Sequence, residues 1–142
     1  MNLKRKQGGF SLIELLIVVA IIGIISTIAV PQLLDAIDRG RQRRTMADMR
    51  NIATANGTYR VDKGVYAPAL KDLAPDYMQI VVDKDAWGTG FAYAVASGDY
   101  TIESYGSDAK DGPVPASPWV NGPYDGDLEL KNGQFTQAPT GQ

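Results

Sequence analysis

This chain of 142 residues is organised around residues 10–30, which read FSLIELLIVVAIIGIISTIAV. Glu14 is the single charged residue among these 21 positions. At ~1.5 Å per residue, a helix of this length spans roughly 30 Å, which is the hydrocarbon thickness of a bilayer. A protein of this size has too little surface to bury such a helix on every side. The stretch therefore predicts a membrane-spanning helix.

A cleaved secretory signal is the alternative interpretation of this stretch, because Lys4, Arg5 and Lys6 precede it. The apolar part of a signal peptide is shorter, about 7–15 residues. Glu14 would lie inside it, and Thr27-Ile28-Ala29 is a poor cleavage site. These features favour a retained span. The basic residues before the span nearly balance those after it, so the charge rule alone does not fix its orientation.

The net charge of −2 conceals an uneven distribution. Residues 39–60 carry six Arg against Asp48 alone, whereas five Lys face twelve acids from Val61 onward. Because the chain has neither Cys nor His, it lacks a disulfide, a thiol nucleophile and the usual zinc ligands. Carboxylate chemistry remains open, but only their proximity favours Asp83 and Asp85 as a catalytic pair. We predict that the protein is not an enzyme.

Beyond the span, the pattern predicts one curved helix from about Ser11 to Asn56. Pro31 should bend or loosen it, and Gly40 is a second weak point. Apolar residues recur at a spacing of three to four residues from Met46 to Ala53, which predicts a face packed on a head domain. Short strands are expected at Met78–Val82, Phe91–Ala96, Tyr100–Tyr105, Leu128–Leu130 and Gln134–Thr136, the last two forming a hairpin around Asn132-Gly133. The predicted fold class is α+β.

Residues 4–31 resemble the N-terminal signature of type IV pilins and pseudopilins: a basic leader, Gly8-Gly9-Phe10, Glu14, a long apolar run and Pro31. The resemblance implies that a prepilin peptidase cuts after Gly9 and that the new N-terminal Phe10 is methylated. It also implies that Glu14 meets the Phe10 ammonium of a neighbouring subunit during assembly. The expected parts are the leader 1–9, the membrane and polymerisation helix 10–30, the amphipathic half of the helix 31–56 and the β-rich periplasmic head 57–142.

Within the head, Gly64-Val-Tyr66-Ala-Pro68, Asp85-Ala-Trp87-Gly88 and the segment from Tyr100 to Asp108 resemble the major pseudopilin of type II secretion. That family often has proline where this chain has Ala86. The resemblance implies a homopolymer that starts in bacterial inner-membrane lipid, with its leader in the cytoplasm and its head in the periplasm. Minor pseudopilins or pilins and an inner-membrane assembly platform are the other implied partners. A surface type IV pilin for adhesion, twitching or DNA uptake, and a membrane-anchored periplasmic binding domain, remain as alternatives.

The resemblance also implies a calcium ion in the loop after the Tyr100–Tyr105 strand. Asp108 matches the first aspartate of the family and Tyr105 a carbonyl ligand, but Pro115 stands where the second aspartate falls. Asp111, Asp125 and Asp127 could supply the remaining oxygens, because calcium takes six or more. Alternatively, these aspartates are solvated turn residues.

The arginine cluster Arg39–Arg44 has no role that the sequence defines. A solvated helix face, contacts with acidic heads of neighbouring subunits and contacts with lipid phosphate are all open. No nucleic-acid partner is expected, because no aromatic residues are interleaved with the arginines and the body is acidic.

Overall fold

The structure is a computed structural model that describes residues 9–111, 124 and 126–138. Helix α1 comprises Leu12–Lys63, and two short 3-10 helices comprise Leu70–Leu73 and Gly106–Asp108. The strands are β1 (Ala92–Ala96), β2 (Asp99–Ser104), β3 (Leu128–Lys131) and β4 (Gln134–Gln137). The predicted α+β class, with a long N-terminal helix and a small antiparallel sheet, is confirmed.

The chain divides into two compact units, Met1–Ile37 and Asp38–Gln142. In the first unit, α1 is apolar and long enough to cross a membrane, and its most apolar stretch of 18 residues is not buried. The hydroxyl of Thr27 donates to the carbonyl of Gly23 at 2.8 Å, so this polar side chain is satisfied within the helix. The helix continues through Pro31 and Gly40.

The core of the second unit lies between α1 and one face of the sheet. Each strand pairs antiparallel with the next along the chain, in the order β1-β2-β3-β4. Along β2, Tyr100, Ile102 and Ser104 are buried while the residues between them are partly exposed, as strand alternation requires. Met49 and Ile52 of α1 are fully buried in the same apolar cluster as Ile102. The predicted packing of the helix on a head domain is therefore confirmed.

Tight turns at Ser97-Gly98 and Asn132-Gly133 fix the register of the sheet. Asn132 and Gly133 have φ angles of 49° and 83°, which a two-residue hairpin turn requires and which Asn and Gly adopt readily. Asn132 also bonds to the start of β2, because its side-chain oxygen accepts from the amide of Tyr100 at 3.1 Å. The predicted C-terminal hairpin and the strands near 91–96 and 100–105 are confirmed. The strand predicted at Met78–Val82 is wrong, since those residues form bends and irregular chain.

The predicted helix end at Asn56-Gly57 is also wrong, because α1 continues to Lys63. It stops at Gly64, whose φ of 77° is left-handed and whose amide donates to the carbonyl of Arg60 at 2.8 Å. This is the bond of a glycine C-cap. Asn56 does not end the helix because its side chain bonds to other parts of the fold instead of to its own backbone.

A closed ring of hydrogen bonds joins Asn56, Ala67 and Tyr93, which come from the helix, the following loop and β1. The Asn56 amide nitrogen donates to the Tyr93 hydroxyl at 2.9 Å, and that hydroxyl donates to the Ala67 carbonyl at 2.6 Å. The Ala67 amide in turn donates to the Asn56 side-chain oxygen at 2.9 Å. Asn56 and Ala67 are fully buried, so this ring fixes how far along the helix the sheet and loop lie.

We expect Asn56→Ala to lower the free energy of unfolding of this unit by about 1–3 kcal/mol, because it leaves the buried Ala67 amide without a partner. Urea titration of the full chain in detergent micelles, followed by tryptophan fluorescence, measures this. Gly57→Ala is the control, and it should raise the free energy of unfolding by up to ~1 kcal/mol, because alanine favours the helix. A Cβ at this position meets nothing within 4 Å. Equal stability of Asn56→Ala and the parent would contradict the role of the ring.

Candidate assembly site

The residues predicted for processing and assembly lie where α1 begins. Gly9 and Phe10 precede the helix, and Phe10 is 77% exposed. The amides of Glu14 and Leu15 donate to the carbonyl of Ser11 at 3.1 and 3.2 Å, so Glu14 lies in the first helical turn. A carboxylate is favourable there because it faces the positive end of the helix dipole.

Glu14 is exposed, and its carboxylate forms no ion pair or hydrogen bond with any other residue that the structure describes. Its carboxylate is therefore accessible to a group from outside this chain. The pairing with the Phe10 ammonium of a neighbour and the roles of Gly9 and Pro31 remain predictions.

A long, mostly apolar surface follows Glu14. The large apolar side chains from Leu12 to Ile37 are all more than two-fifths exposed, and the highest value is 87% at Leu12. Soluble monomers rarely expose so large an apolar surface, so something other than this chain must cover it. A bilayer and copies of the same helix are the two coverings whose chemistry matches.

Asp85, one member of the carboxylate pair considered above, is a structural residue. Its Oδ1 accepts from the amides of Trp87 and Thr89 at 3.0 and 2.9 Å, and its Oδ2 accepts from the Ser104 hydroxyl at 2.7 Å. Asp85 is 6% exposed, whereas Asp83 is exposed. The pair is therefore split between a buried turn residue and a surface residue.

The turn that Asp85 organises also docks on the helix. The amide of Ala86 donates to the hydroxyl of Thr45, which is fully buried, at 3.1 Å. Trp87 follows in the same turn and is half-buried. Helix, turn and β2 are thus joined through polar groups at Thr45, Asp85 and Ser104.

The predicted calcium ligands lie at the end of β2 and before β3. Asp108 is exposed, and its Oδ1 accepts from the amide of Lys110 at 3.1 Å, which is a turn contact. Tyr105 precedes the second 3-10 helix, and Asp111 is exposed. Asp127 is 5% exposed, and Asp125 lies outside the described residues.

Residues 9–111, 124 and 126–138 contain no group of three or more acidic, His or Cys side chains that could hold a metal. The described residues alone therefore do not fit a complete calcium site.

Two acids that no sequence motif marks face each other across the sheet. Glu103 of β2 lies directly opposite Glu129 of β3. Like charges at such positions destabilise a sheet. Desolvation raises the pKa of Glu103, and the charges of Glu129, Asp111 and Asp127 raise it further. Only the register reveals this pair, because the two residues are far apart in sequence.

The N-terminal segment matches a family of known proteins. Residues 4–30 match the model of the prokaryotic N-terminal methylation motif. The chain is 28% identical over 127 residues to the type II secretion system core protein G of Pseudomonas aeruginosa, a match that covers 77% of this chain and 89% of that protein. It is 29% identical over 130 residues to the core protein G of Vibrio cholerae, covering 79% and 88%.

The chain therefore carries the N-terminal methylation motif and is similar over most of its length to core proteins of type II secretion systems. The type IV major pilin PilA of Myxococcus xanthus is 33% identical over 116 residues, which cover 79% of this chain but 46% of that pilin. No solved structure matches the chain. The predicted resemblance is confirmed, and the relatives favour a filament subunit over an anchored binding domain.

We expect Glu103→Gln to stabilise the second unit by about 0.2–1 kcal/mol at neutral pH, because it removes the repulsion with Glu129. The pKa of Glu103 is raised in the folded protein from its ordinary value of 4.5, so ionisation costs stability as pH rises through that range. The gain over the parent should therefore vanish well below pH ~4.5. Urea titrations at several pH values measure this, with Asp83→Asn as a surface control. A gain that persists at low pH would contradict the electrostatic cause.

Proposed function

We propose that this protein is the major pseudopilin of a type II secretion system and acts by assembling into a helical filament that drives protein export. The observation that carries this proposal is the match to core protein G, which spans 89% of the Pseudomonas aeruginosa protein. The apolar helix and the methylation motif support it, because they supply a membrane anchor and a processing signal. Work is done by assembly, with no reaction assigned to any side chain.

In this proposal the prepilin peptidase cuts after Gly9 on the cytoplasmic side, and the second unit lies in the periplasm. Cleavage creates an ammonium group on Phe10 that stays cationic after a single methylation. Glu14 supplies the matching negative charge from an exposed position in the first helical turn. In an apolar environment the main effect of such an ion pair is to fix the position of each subunit relative to its neighbours. A misplaced subunit leaves both charges buried and unpaired.

A surface type IV pilin is the second candidate, and the match to PilA of Myxococcus xanthus supports it. Less than half of that pilin aligns with this chain, whereas nearly all of core protein G does. We therefore place the secretion function first.

Mass spectrometry of the protein purified from its native membrane tests the processing step. We expect the mature chain to begin at Phe10, with the mass of residues 1–9 lost and one methyl group gained. Deleting the gene should then stop export of secreted proteins while surface fibres persist, which separates the secretion function from the pilus. An intact leader in the mature protein would contradict the proposal.

We expect Glu14→Ala to insert into the membrane as well as the parent, or better, because an acid at depth in a bilayer costs about 2.5–3.5 kcal/mol. Filament number, counted by electron microscopy, should nevertheless fall sharply, because the neighbouring Phe10 ammonium loses its counter-charge. Glu14→Asp is the control that keeps the charge. Normal filament numbers from Glu14→Ala would refute this role.

Calcium binding at the end of β2 is a further proposal, with Asp108, Asp111, Asp125, Asp127 and the Tyr105 carbonyl as candidate ligands. The concentration of negative charge supports it: the pKa of Tyr105 is raised by desolvation and by the charges of Asp111, Glu103 and Asp127. The proline-rich stretch that contains Pro115 lies outside the described residues.

We expect millimolar calcium to raise the unfolding temperature of the full chain in detergent micelles, since a ligand that binds only the folded state stabilises it. Magnesium at the same concentration is the control for ionic strength, and Asp127→Asn should abolish the response. The absence of any shift with calcium would refute the site.

A further inference from the structure

The solvent-facing side of α1 in the second unit is basic. Arg43 precedes the fully buried Thr45 by two residues, which corresponds to about 200° around the helix. Arg43 and Arg44 are exposed, and the side chain of Arg44 is 78% exposed. Arg39 lies one turn before Arg43 and is exposed as well. We call Arg39, Arg43 and Arg44 the basic helix face.

Two of the three arginines in the basic helix face, Arg43 and Arg44, are only weakly engaged by the residues that the structure describes. Arg44 lies 3.8 Å from Asp48, and a surface pair of this kind contributes little. Arg43 has no ion pair or hydrogen bond with any residue among the described parts of the chain.

The opposite side of the same unit is acidic. Ile102, Ser104, Leu128 and Leu130 are buried on the side of the sheet that faces α1. Because successive residues of a strand point to opposite sides, Glu103 and Glu129 lie on the outer side. We call Glu103 and Glu129 the acidic sheet face.

We propose that the basic helix face of one subunit docks on the acidic sheet face of the next subunit in the filament. This inference rests on the proposed function, since it assumes a homopolymer. The two faces carry opposite charges, and the cost of placing Glu103 opposite Glu129 would be offset by the arginines of a neighbour.

The placement of the two faces also defines the type of assembly. Unlike surfaces on opposite sides of one unit cannot pair with themselves, so the contact is heterologous and head-to-tail. A heterologous contact that does not close into a ring generates an open helical filament. A two-fold dimer would instead need a surface that is complementary to itself, and neither of these faces is.

Anionic lipid is the competing partner for the arginines, because they follow the apolar span directly in sequence. Lipid would leave the Glu103–Glu129 repulsion unrelieved, whereas a second copy of the chain satisfies both charged faces at once. The observations therefore favour the second copy.

The absence of cysteine makes the contact directly testable by cross-linking. A chain carrying both Arg43→Cys and Glu129→Cys, oxidised in assembled filaments, should give a ladder of covalent multimers on a non-reducing gel. Each single-cysteine chain should give none, and Lys71→Cys with Glu129→Cys is the matched control, since Lys71 is exposed and lies outside both faces.

Filaments that form without a ladder would overturn the contact while leaving the proposed function intact. Dimers from a single-cysteine chain would mean a self-complementary interface and would overturn it too. No filaments from the cysteine-free parent would overturn the homopolymer itself, and the contact with it.

Charge reversal gives a second measurement that does not need cysteine. We expect R43E/R44E and E103K/E129K each to lower filament number at least about tenfold, because like charges then meet at the interface. Combining all four changes should restore it. In E103K/E129K the repulsion between positions 103 and 129 is unchanged, because two lysines replace two glutamates.

Urea titration of each variant checks that the second unit still folds. Full filament numbers from either double variant would overturn the contact. Loss in R43E/R44E that the combined variant does not restore, accompanied by weaker binding of the unassembled subunit to anionic vesicles, would assign the arginines to lipid instead.

Discussion

The structure depends on one constraint: a single helix carries an apolar surface that its own chain cannot cover. From Leu12 to Ile37 the large side chains of α1 are exposed, whereas from Thr45 onward the same helix buries residues against the sheet. Burial of apolar surface is worth roughly 25 cal/mol per Å², so the uncovered part is a large driving force for partition into lipid or for self-association. The membrane and filament states both follow from this uncovered surface.

Because little apolar surface remains for the second unit, polar contacts position its parts. Among the residues that the structure describes, nine form its fully or nearly fully buried apolar core, and they include Met49, Ile52 and Leu130. Around that core, Thr45 and Asn56 bond to the backbone of two separate loops, and Asp85 bonds to both its own turn and β2. Such bonds are directional, and a buried polar group that loses its partner is costly. They therefore select a single register of the helix on the sheet, which a few non-directional aliphatic contacts could not do.

The sequence was sufficient for those features that depend on local pattern, namely the apolar helix, the Asn132-Gly133 hairpin and the strands with alternating burial. It misplaced the helix end because Asn56-Gly57 has the composition of a terminus, while the tertiary bonds of Asn56 decide the outcome. The strand expected at Met78–Val82 failed because its apolar residues lack a neighbouring strand to pair with in the described chain. The pairing of Glu103 with Glu129 could not be predicted, because it follows from the register between distant strands.

An apolar helix and charged faces contribute different things to a polymer. Apolar contact is non-directional, so the exposed helix surface gives cohesion and leaves many rotations and translations of neighbouring subunits nearly equal in energy. Charge complementarity is sensitive to position, because a subunit out of register brings like charges together. A sheet that keeps Glu103 opposite Glu129 at some cost to its own stability is therefore better explained by selection for register between subunits than by the stability of the isolated unit.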